Sequence, residues 1–452
     1  MKFASPRRFC WSVALVLAAA DLVPAGGPVT EVEEVVARAV EAGNGAGPLW
    51  CYGAPLIVRV GDDVFASVME VGEGIPPPGN TRWRLLRRGR SGWVEVAHPA
   101  GFGEREPCPL AWGGRSGLLL SVNPPLEPPG AEPGRCDPHL LRFGLDALDR
   151  PPARVRPDWA GNPRFTAHSY RGIATDPPRG DVLLLNIDAA SGDQRWVLSS
   201  GEGRPPRSGA IRFPVRACYP QVALRAGAGH VLALGDVVEP NADWRAHKKA
   251  KTGSAWDYVF RRIFHAGAAD LAAADFAAPL EIDSVEETGG NLLNLDLWAD
   301  DAGAAHLLYL KTNVTPILRD EFFPGRTITT SLEYAVVERG RVVHRATLLV
   351  GGEGRPETPQ YARLHATADG ALHAIISVAV PPDRAPARLE NRVVRLSPGP
   401  ATPPITRLDL AAPFTTFFTA TNRGGSPRSD VLDLFGRDAG SNDLRYARIR
   451  LR

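Results

Sequence analysis

One short pattern recurs far apart in this chain, and recurrence at a spacing of tens of residues dictates a repeat architecture. Gly79-Asn80-Thr81-Arg82-Trp83, Gly192-Asp193-Gln194-Arg195-Trp196 and Asn442-Asp443-Leu444-Arg445-Tyr446 each follow one apolar run of strand type and open another. Alignment on a strand, turn, strand, turn, strand scheme gives seven apolar second strands: Val64–Met69, Leu118–Val122, Val182–Ile187, Val231–Gly235, Ala305–Leu310, Leu372–Val378 and Val431–Phe435. Gly or Asp precedes most of them, as in Gly61-Asp62, Gly180-Asp181 and Asp369-Gly370, which are hairpin turn signals. Third strands begin near Trp83, Leu141, Trp196, Tyr258, Tyr334, Val394 and Tyr446, at separations of 52 to 76 residues. A four-stranded blade with its loops needs roughly 40–50 residues or more. The pattern therefore predicts an all-β, seven-bladed β-propeller, with six blades and an extra sheet as the alternative.

The ends of the chain fit this scheme less directly. Lys2, Arg7 and Arg8, the apolar stretch Phe9–Ala20 and the small residues Ala18-Ala19-Ala20 read as a secretory signal over residues 1–20, with an N-terminal anchor as the alternative. Residues 21–47 read as a linker with a short helix, because Thr30–Ala42 places Val32, Val35, Val36, Ala39 and Val40 on one helical face. The propeller is expected over 48–452. Its last blade lacks an outer strand, which a short stretch near Pro28–Thr30 or Gly47–Cys51 is expected to supply. Four cysteines follow the signal: Cys51, Cys108, Cys136 and Cys218. Oxidising export permits one or two bridges, Cys108–Cys136 being the most local, and free buried thiols are the alternative.

Composition narrows the function classes. With 44% hydrophobic and 23% charged residues the chain is that of a folded, soluble protein. A net charge of +2 excludes a strongly basic nucleic-acid binder. Only five of the 52 basic residues are lysine, a coding bias that strips arginine counts of functional weight. No Gly-x-Ser-x-Gly elbow, phosphate-binding glycine loop, His-Glu-x-x-His or EF-hand loop occurs. No metal or cofactor is expected, although a divalent ion is not excluded, and no membrane span is expected once the signal is removed.

Topology locates the candidate site. In an antiparallel blade the connection leading into the innermost strand emerges on the same face as the connection between strands two and three. The latter are long in blades 4 and 5, Val237–Ala255 and Lys311–Thr330, and blade 6 adds Pro381–Glu390. Connections of that length are usually functional or disordered. The inner-strand starts on that face are polar: His168 and Tyr170 in blade 3, Arg216 and Tyr219 in blade 4, Asn294 and Asp296 in blade 5, Tyr361, Arg363 and His365 in blade 6. Polar groups converging at the mouth of a channel form the default binding site, and the competing reading is that they tie blades together through buried hydrogen bonds. The segment from Asp236 and Glu239 through Trp244 to Arg261 adds carboxylates, cations and aromatics beside them.

Arg-Trp or Arg-Tyr opening the third strand, followed by Gly-Trp as in Arg87-Arg88-Gly89-Arg90-Ser91-Gly92-Trp93, resembles the sialidase-like superfamily of bacterial β-propellers with BNR (Asp-box) repeats. The resemblance covers the mature chain in architecture, and a full Ser-x-Asp-x-Gly-x-x-Trp box is absent. It is similar in plan to secreted propellers that act on polysaccharides, including sialidases and ulvan-type lyases. A sialidase-type site implies an arginine cluster drawn from Arg216, Arg261, Arg319 and Arg363, with Tyr219 or Tyr361 as phenol and Asp236 or Glu239 as carboxylate. A lyase-type site implies His168, Tyr170, Arg216 and Tyr219, with Arg216 and Arg261 gripping a uronate carboxylate, His168 as base and Tyr170 or Tyr219 as acid. Trp244, Asn294, Asp296, Arg319, Arg363 and His365 complete the expected substrate contacts.

The reading is thus a secreted or periplasmic carbohydrate-active propeller acting on an acidic polysaccharide or glycan, with lyase chemistry ahead of sialidase-type hydrolysis. A non-catalytic propeller that binds glycan or protein, or a surface scaffold, is the alternative.

Overall fold

The structure, a computed structural model, describes residues 27–451 apart from 51–52, 132–133, 169, 202–203, 255–256, 382–387, 397–403 and 442. The expected signal and Cys51 lie outside the described residues, as does most of Pro381–Glu390.

Seven four-stranded antiparallel sheets form the blades of a propeller. The first strands of successive blades touch in a closed cycle, blade 7 meeting blade 1, so the first strand is innermost throughout. All seven expected second strands are present, from Asp63–Val71 in blade 1 to Val431–Asp438 in blade 7. Six of the seven third strands also fall where expected. Blade 4 differs, because its third strand is Arg262–Ala268. Tyr258–Val259 instead pairs with Val237–Val238 in a separate two-stranded ribbon.

Apolar faces of neighbouring blades supply the core. Leu183, Leu185 and Trp196 of blade 3, for example, pack with Val222, Leu224 and Val231 of blade 4. Burying each such side chain contributes roughly 1.5–3 kcal/mol.

Ring closure corrects the reading of the N-terminus. Residues Val29–Arg38 form a strand, not a helix, and this strand is the missing outer edge of blade 7, antiparallel to Asp443–Arg450. Two register shifts, between Thr30 and Val32 and between Val35 and Ala37, break its period-two alternation. The half-buried Val32 and Val36 sit four residues apart, a spacing that one face of a strand shares with one face of a helix, while Val35 and Val40 are exposed. Long-range ion pairs fix the strand, Arg88 to Glu34 at 2.7 Å and Arg450 to Glu31 at 2.6 Å. The propeller accordingly begins within residues 21–47.

The cysteines follow the alternative of buried thiols: Cys136 and Cys218 are free and buried, and Cys108 is buried. Cys108 belongs to the apolar cluster between blades 1 and 2, and Cys136 packs instead with Phe165, Ala167 and Trp159, so the two thiols do not meet. Burial pushes the Cys136 thiol up to about 12, which keeps it protonated.

Buried histidines give the fold an acid-sensitive element. His365, on the inner strand of blade 6, lies with Nε2 2.7 Å from the Ser429 carbonyl, and burial pushes its pKa down to about 4. The unfolded chain takes up this proton below pH about 6.5, the folded chain only near pH 4, so stability falls as pH drops through that window. One such group accounts for about 3 kcal/mol across the window. Urea midpoints at pH 7 and pH 4.5 should therefore diverge, and His365→Gln should narrow the gap; an unchanged gap would refute the assignment.

Candidate active site at the mouth of the ring

The candidate site grows from the segments that lead into the inner strands of blades 1 to 4. Blade 4 enters through Arg216, and its inner strand Ala217–Arg225 carries a register shift between Cys218 and Gln221. Pro220 cannot donate to the ladder, which suits a bulge. Tyr219 within it has φ +53°, unusual for a residue other than glycine and more so before a proline, whose ring ordinarily holds its predecessor extended. Asn294 of blade 5 donates to the Tyr219 carbonyl at 2.6 Å and to the Leu232 carbonyl at 3.3 Å. The bulge re-aims Tyr219 so that its ring meets Tyr170 at 5.2 Å, Phe260 at 5.7 Å and Trp50 at 6.3 Å, all nearly edge-on.

Blade 3 supplies His168 and Tyr170, whose rings lie 4.5 Å apart. Trp50, which precedes blade 1, stacks on His168 at 6.1 Å with 27° between planes. Glu106, which precedes blade 2, brings Oε1 to 2.9 Å from His168 Nδ1. The Glu106 side chain is 1% exposed and that of His168 31%. Arg216 lies over the Tyr170 ring at 5.0 Å and near that of Tyr258 at 5.9 Å, and pairs with the buried Asp236. The Tyr170 hydroxyl is hydrogen-bonded to both Arg216 and Tyr219. Burial pushes the Tyr170 phenol up to about 12 and raises that of Tyr219 further, so both hold their protons across ordinary pH. His168, Tyr170, Arg216, Tyr219 and Asp236 thus share one site. Trp50 and Glu106 join it unforeseen, although both occupy the inner-strand starts that the topology singles out.

The long connections of blades 4 and 5 rise beside this cluster and are structured. Helix α1, Ala242–Thr252, sits on the Val237–Val238/Tyr258–Val259 ribbon, capped by the Asn241 side chain and ended at Gly253 with φ +69°. Helix α2, Pro316–Phe322, packs against it: Trp244 meets Phe322 and Phe323, and His247 Nε2 lies 3.0 Å from the Ile317 carbonyl.

Several expected substrate contacts prove to be internal struts, which corrects their role. Arg261 donates to both oxygens of Glu239 at 2.8 and 2.5 Å, Lys248 joins Glu239 to Asp257, and Trp244 covers the Arg261 guanidinium at 4.8 Å. With Glu239 and Arg261 0% and 2% exposed, this unit anchors α1 and presents no free cation. Arg319, on α2, is no strut but pairs at the surface with Asp320 and Glu353. His365 bonds Ser429, which lies in the connection between the first two strands of blade 7, on the face away from the cluster. The four arginines expected to cluster each have a separate carboxylate neighbourhood: Asp236, Glu239, Asp320 with Glu353, and Asp296.

The ring axis below the mouth is filled. Asp296 accepts from Arg423 at 2.9 Å and from the Leu364 and Leu297 amides at 2.7 and 2.9 Å, and lies 3.7 Å from Arg363. Arg363 reaches Tyr361, Gln221 and the Leu295 and Phe417 carbonyls. Arg423 reaches Gln221 and the Gly53 carbonyl. Asn294, Asp296 and Arg363 therefore knit blades across the axis, as the competing reading held.

No family model and no curated protein matches the chain. Among solved structures it is similar to the polysaccharide lyase Uly1, with TM-score 0.52 and 11% identity over 88% of this chain and 90% of that one. Weaker likenesses are an α-L-arabinanase of Penicillium chrysogenum, TM-score 0.39 and 11% identity over 93% and 98%, and a Trypanosoma rangeli sialidase, 0.38 and 11% over 76% and 54%. What is shared with Uly1 is the fold. No BNR repeat is found, and the likeness rests on the blades. Among the described residues no helix is long and apolar enough to cross a membrane, and no three His, Cys, Asp or Glu side chains are grouped to hold a metal.

Proposed function

We propose that the chain is a secreted or periplasmic enzyme that cleaves an acidic polysaccharide by β-elimination at a uronate. The observation that carries this reading is the meeting of one imidazole, two protonated phenols and one partly exposed guanidinium at a single mouth. Arg216 faces the uronate carboxylate, withdrawing charge from the ring and stabilising the enolate-like anion that develops at C5. His168 takes the C5 proton, and an imidazole is the side chain best matched to that task near neutral pH. The C5–H electron pair becomes the C4–C5 double bond, the C4–O bond breaks, and the hydrogen-bonded pair Tyr170 and Tyr219 protonates the departing oxygen. The raised phenol pKa values favour the acid role over the base role. Sialidase-type hydrolysis loses support, because it calls on arginines that here are paired apart. The fold shared with a polysaccharide lyase agrees with the proposal.

A panel of uronate polymers and sialoglycans tests it. Elimination yields an ultraviolet-absorbing unsaturated uronate, whereas hydrolysis releases reducing ends without that band. His168→Ala should lower kcat/KM by about 10²–10⁴-fold. Saturable glycan binding with no product would replace the enzyme with a binding propeller.

A further inference from the structure

We infer that Glu106 is the positioning residue of His168, fixing the tautomer in which Nδ1 carries the proton and Nε2 presents a lone pair to the mouth. The inference rests on the reading of His168 as the base. It stands on three observations. First, Oε1 of Glu106 lies 2.9 Å from Nδ1, within hydrogen-bond distance. Against a carboxylate acting as acceptor, the imidazole donates from Nδ1. Second, the carboxylate is buried, with 1% of its side chain exposed, so water does not compete for it. Third, the ring is confined by Trp50, stacked on it at 6.1 Å, and by Tyr170, tilted against it at 4.5 Å. The edge opposite Nδ1 then carries the base. Of the neighbouring charges, Glu104 interacts with both Arg171 and Glu106, and Arg171 donates to the Ser121 and Pro107 carbonyls.

The contact has a conformational consequence as well. Glu106 leads into the inner strand of blade 2 and His168 into that of blade 3, 62 residues later. The imidazole is therefore oriented by a neighbouring blade, not by its own strand, and its direction is fixed by the ring as a whole. A carboxylate behind an imidazole recurs wherever a histidine must keep one tautomer during proton transfer.

The test uses the whole protein labelled with ¹⁵N-histidine, the His168 signals being identified by their loss in His168→Gln. The wild-type spectrum at neutral pH should show His168 protonated at Nδ1. Glu106→Gln should shift His168 toward the Nε2-protonated form that free imidazole prefers. The same variant should lower kcat about 10²-fold while KM stays within about twofold, the signature of an interaction that matters in the transition state. Glu106→Asp should recover part of the loss. A wild-type His168 protonated at Nε2, or a tautomer unmoved by Glu106→Gln, overturns the inference whatever the activity. If Glu106→Gln fails to fold, the wild-type spectrum alone still decides. A tautomer shift in a protein that cleaves no uronate supports the positioning and overturns the lyase proposal instead.

Discussion

Replacing Asp296 by alanine should cost about 3–5 kcal/mol of stability, the range for stripping one partner from a buried ion pair. Asp296 is, among the described residues, the carboxylate of a knot that holds the guanidinium groups of both Arg363 and Arg423, and all three side chains are at least 96% buried. Burial lowers the proton affinity of Arg423 and the nearby Arg363 charge lowers it further, while Asp296 opposes both effects. Removing the carboxylate leaves two like charges facing each other in a medium that screens them poorly. It also strips the acceptor from the Leu297 and Leu364 amides. Gln221, whose Oε1 accepts from both arginines, does not replace a charge. Asp296→Asn should also destabilise, since it keeps the shape and loses the neutralisation. The comparison is Arg212→Ala, whose pair with Asp193 at 3.4 Å belongs to an arginine 85% exposed and should matter by less than about 1 kcal/mol. Urea midpoints of the three variants decide the matter. If Asp296→Ala moves the midpoint no more than Arg212→Ala does, the knot is not what holds the axis.

The ring was legible in the sequence because its signal is local and repeated. Leu118–Val122 and its six counterparts are apolar runs bounded by Gly or Asp, and each blade states the same turn chemistry again. The closing strand was legible only at its start, the stretch near Pro28–Thr30. Its partners lie about 400 residues away, at Asp443–Arg450, and the four-residue spacing of Val32 and Val36 fits one face of a helix as well as one face of a strand. The site divides in the same manner. Topology alone brings His168, Tyr170, Arg216 and Tyr219 to one face, because inner-strand starts share an end. A polar residue further along such a strand carries no mark of its direction. Asn294, Asp296 and Arg363 share the residue types of a binding site, and only their hydrogen bonds reveal them as struts. Glu106 was hidden in the run Glu104-Arg105-Glu106, where a charged surface turn is the ordinary reading. The rule that singled out His168 in blade 3 points to Glu106 when applied to blade 2, and to Trp50 when applied to blade 1.

Arg216→Ala should abolish most activity on a uronate polymer, lowering kcat/KM by roughly 10²–10³-fold, the usual loss when one group stabilising a developing charge is removed. The argument turns on exposure and geometry. Arg261 and Arg363 are 2% and 1% exposed and cannot meet a ligand without disrupting their own networks. Arg216 is 36% exposed, and Asp236 beneath it is 4% exposed. Asp236 therefore orients the guanidinium from the protein side and leaves further N–H donors for a carboxylate from outside. Tyr170 under the same guanidinium adds a cation–π contact that fixes its plane. Arg216→Lys keeps a charge but not the planar fork, so it should recover only part of the loss and mainly through binding. Asp236→Asn separates the roles: it should leave the charge on Arg216 and loosen its direction, raising KM more than it lowers kcat. Folding is not at stake in the same degree, since Arg216 precedes the inner strand and is 36% exposed. Circular dichroism and the urea midpoint should stay close to wild type in Arg216→Ala while turnover falls. Full activity in that variant would remove the guanidinium from the reaction, and with it the uronate as the group this mouth is built to receive.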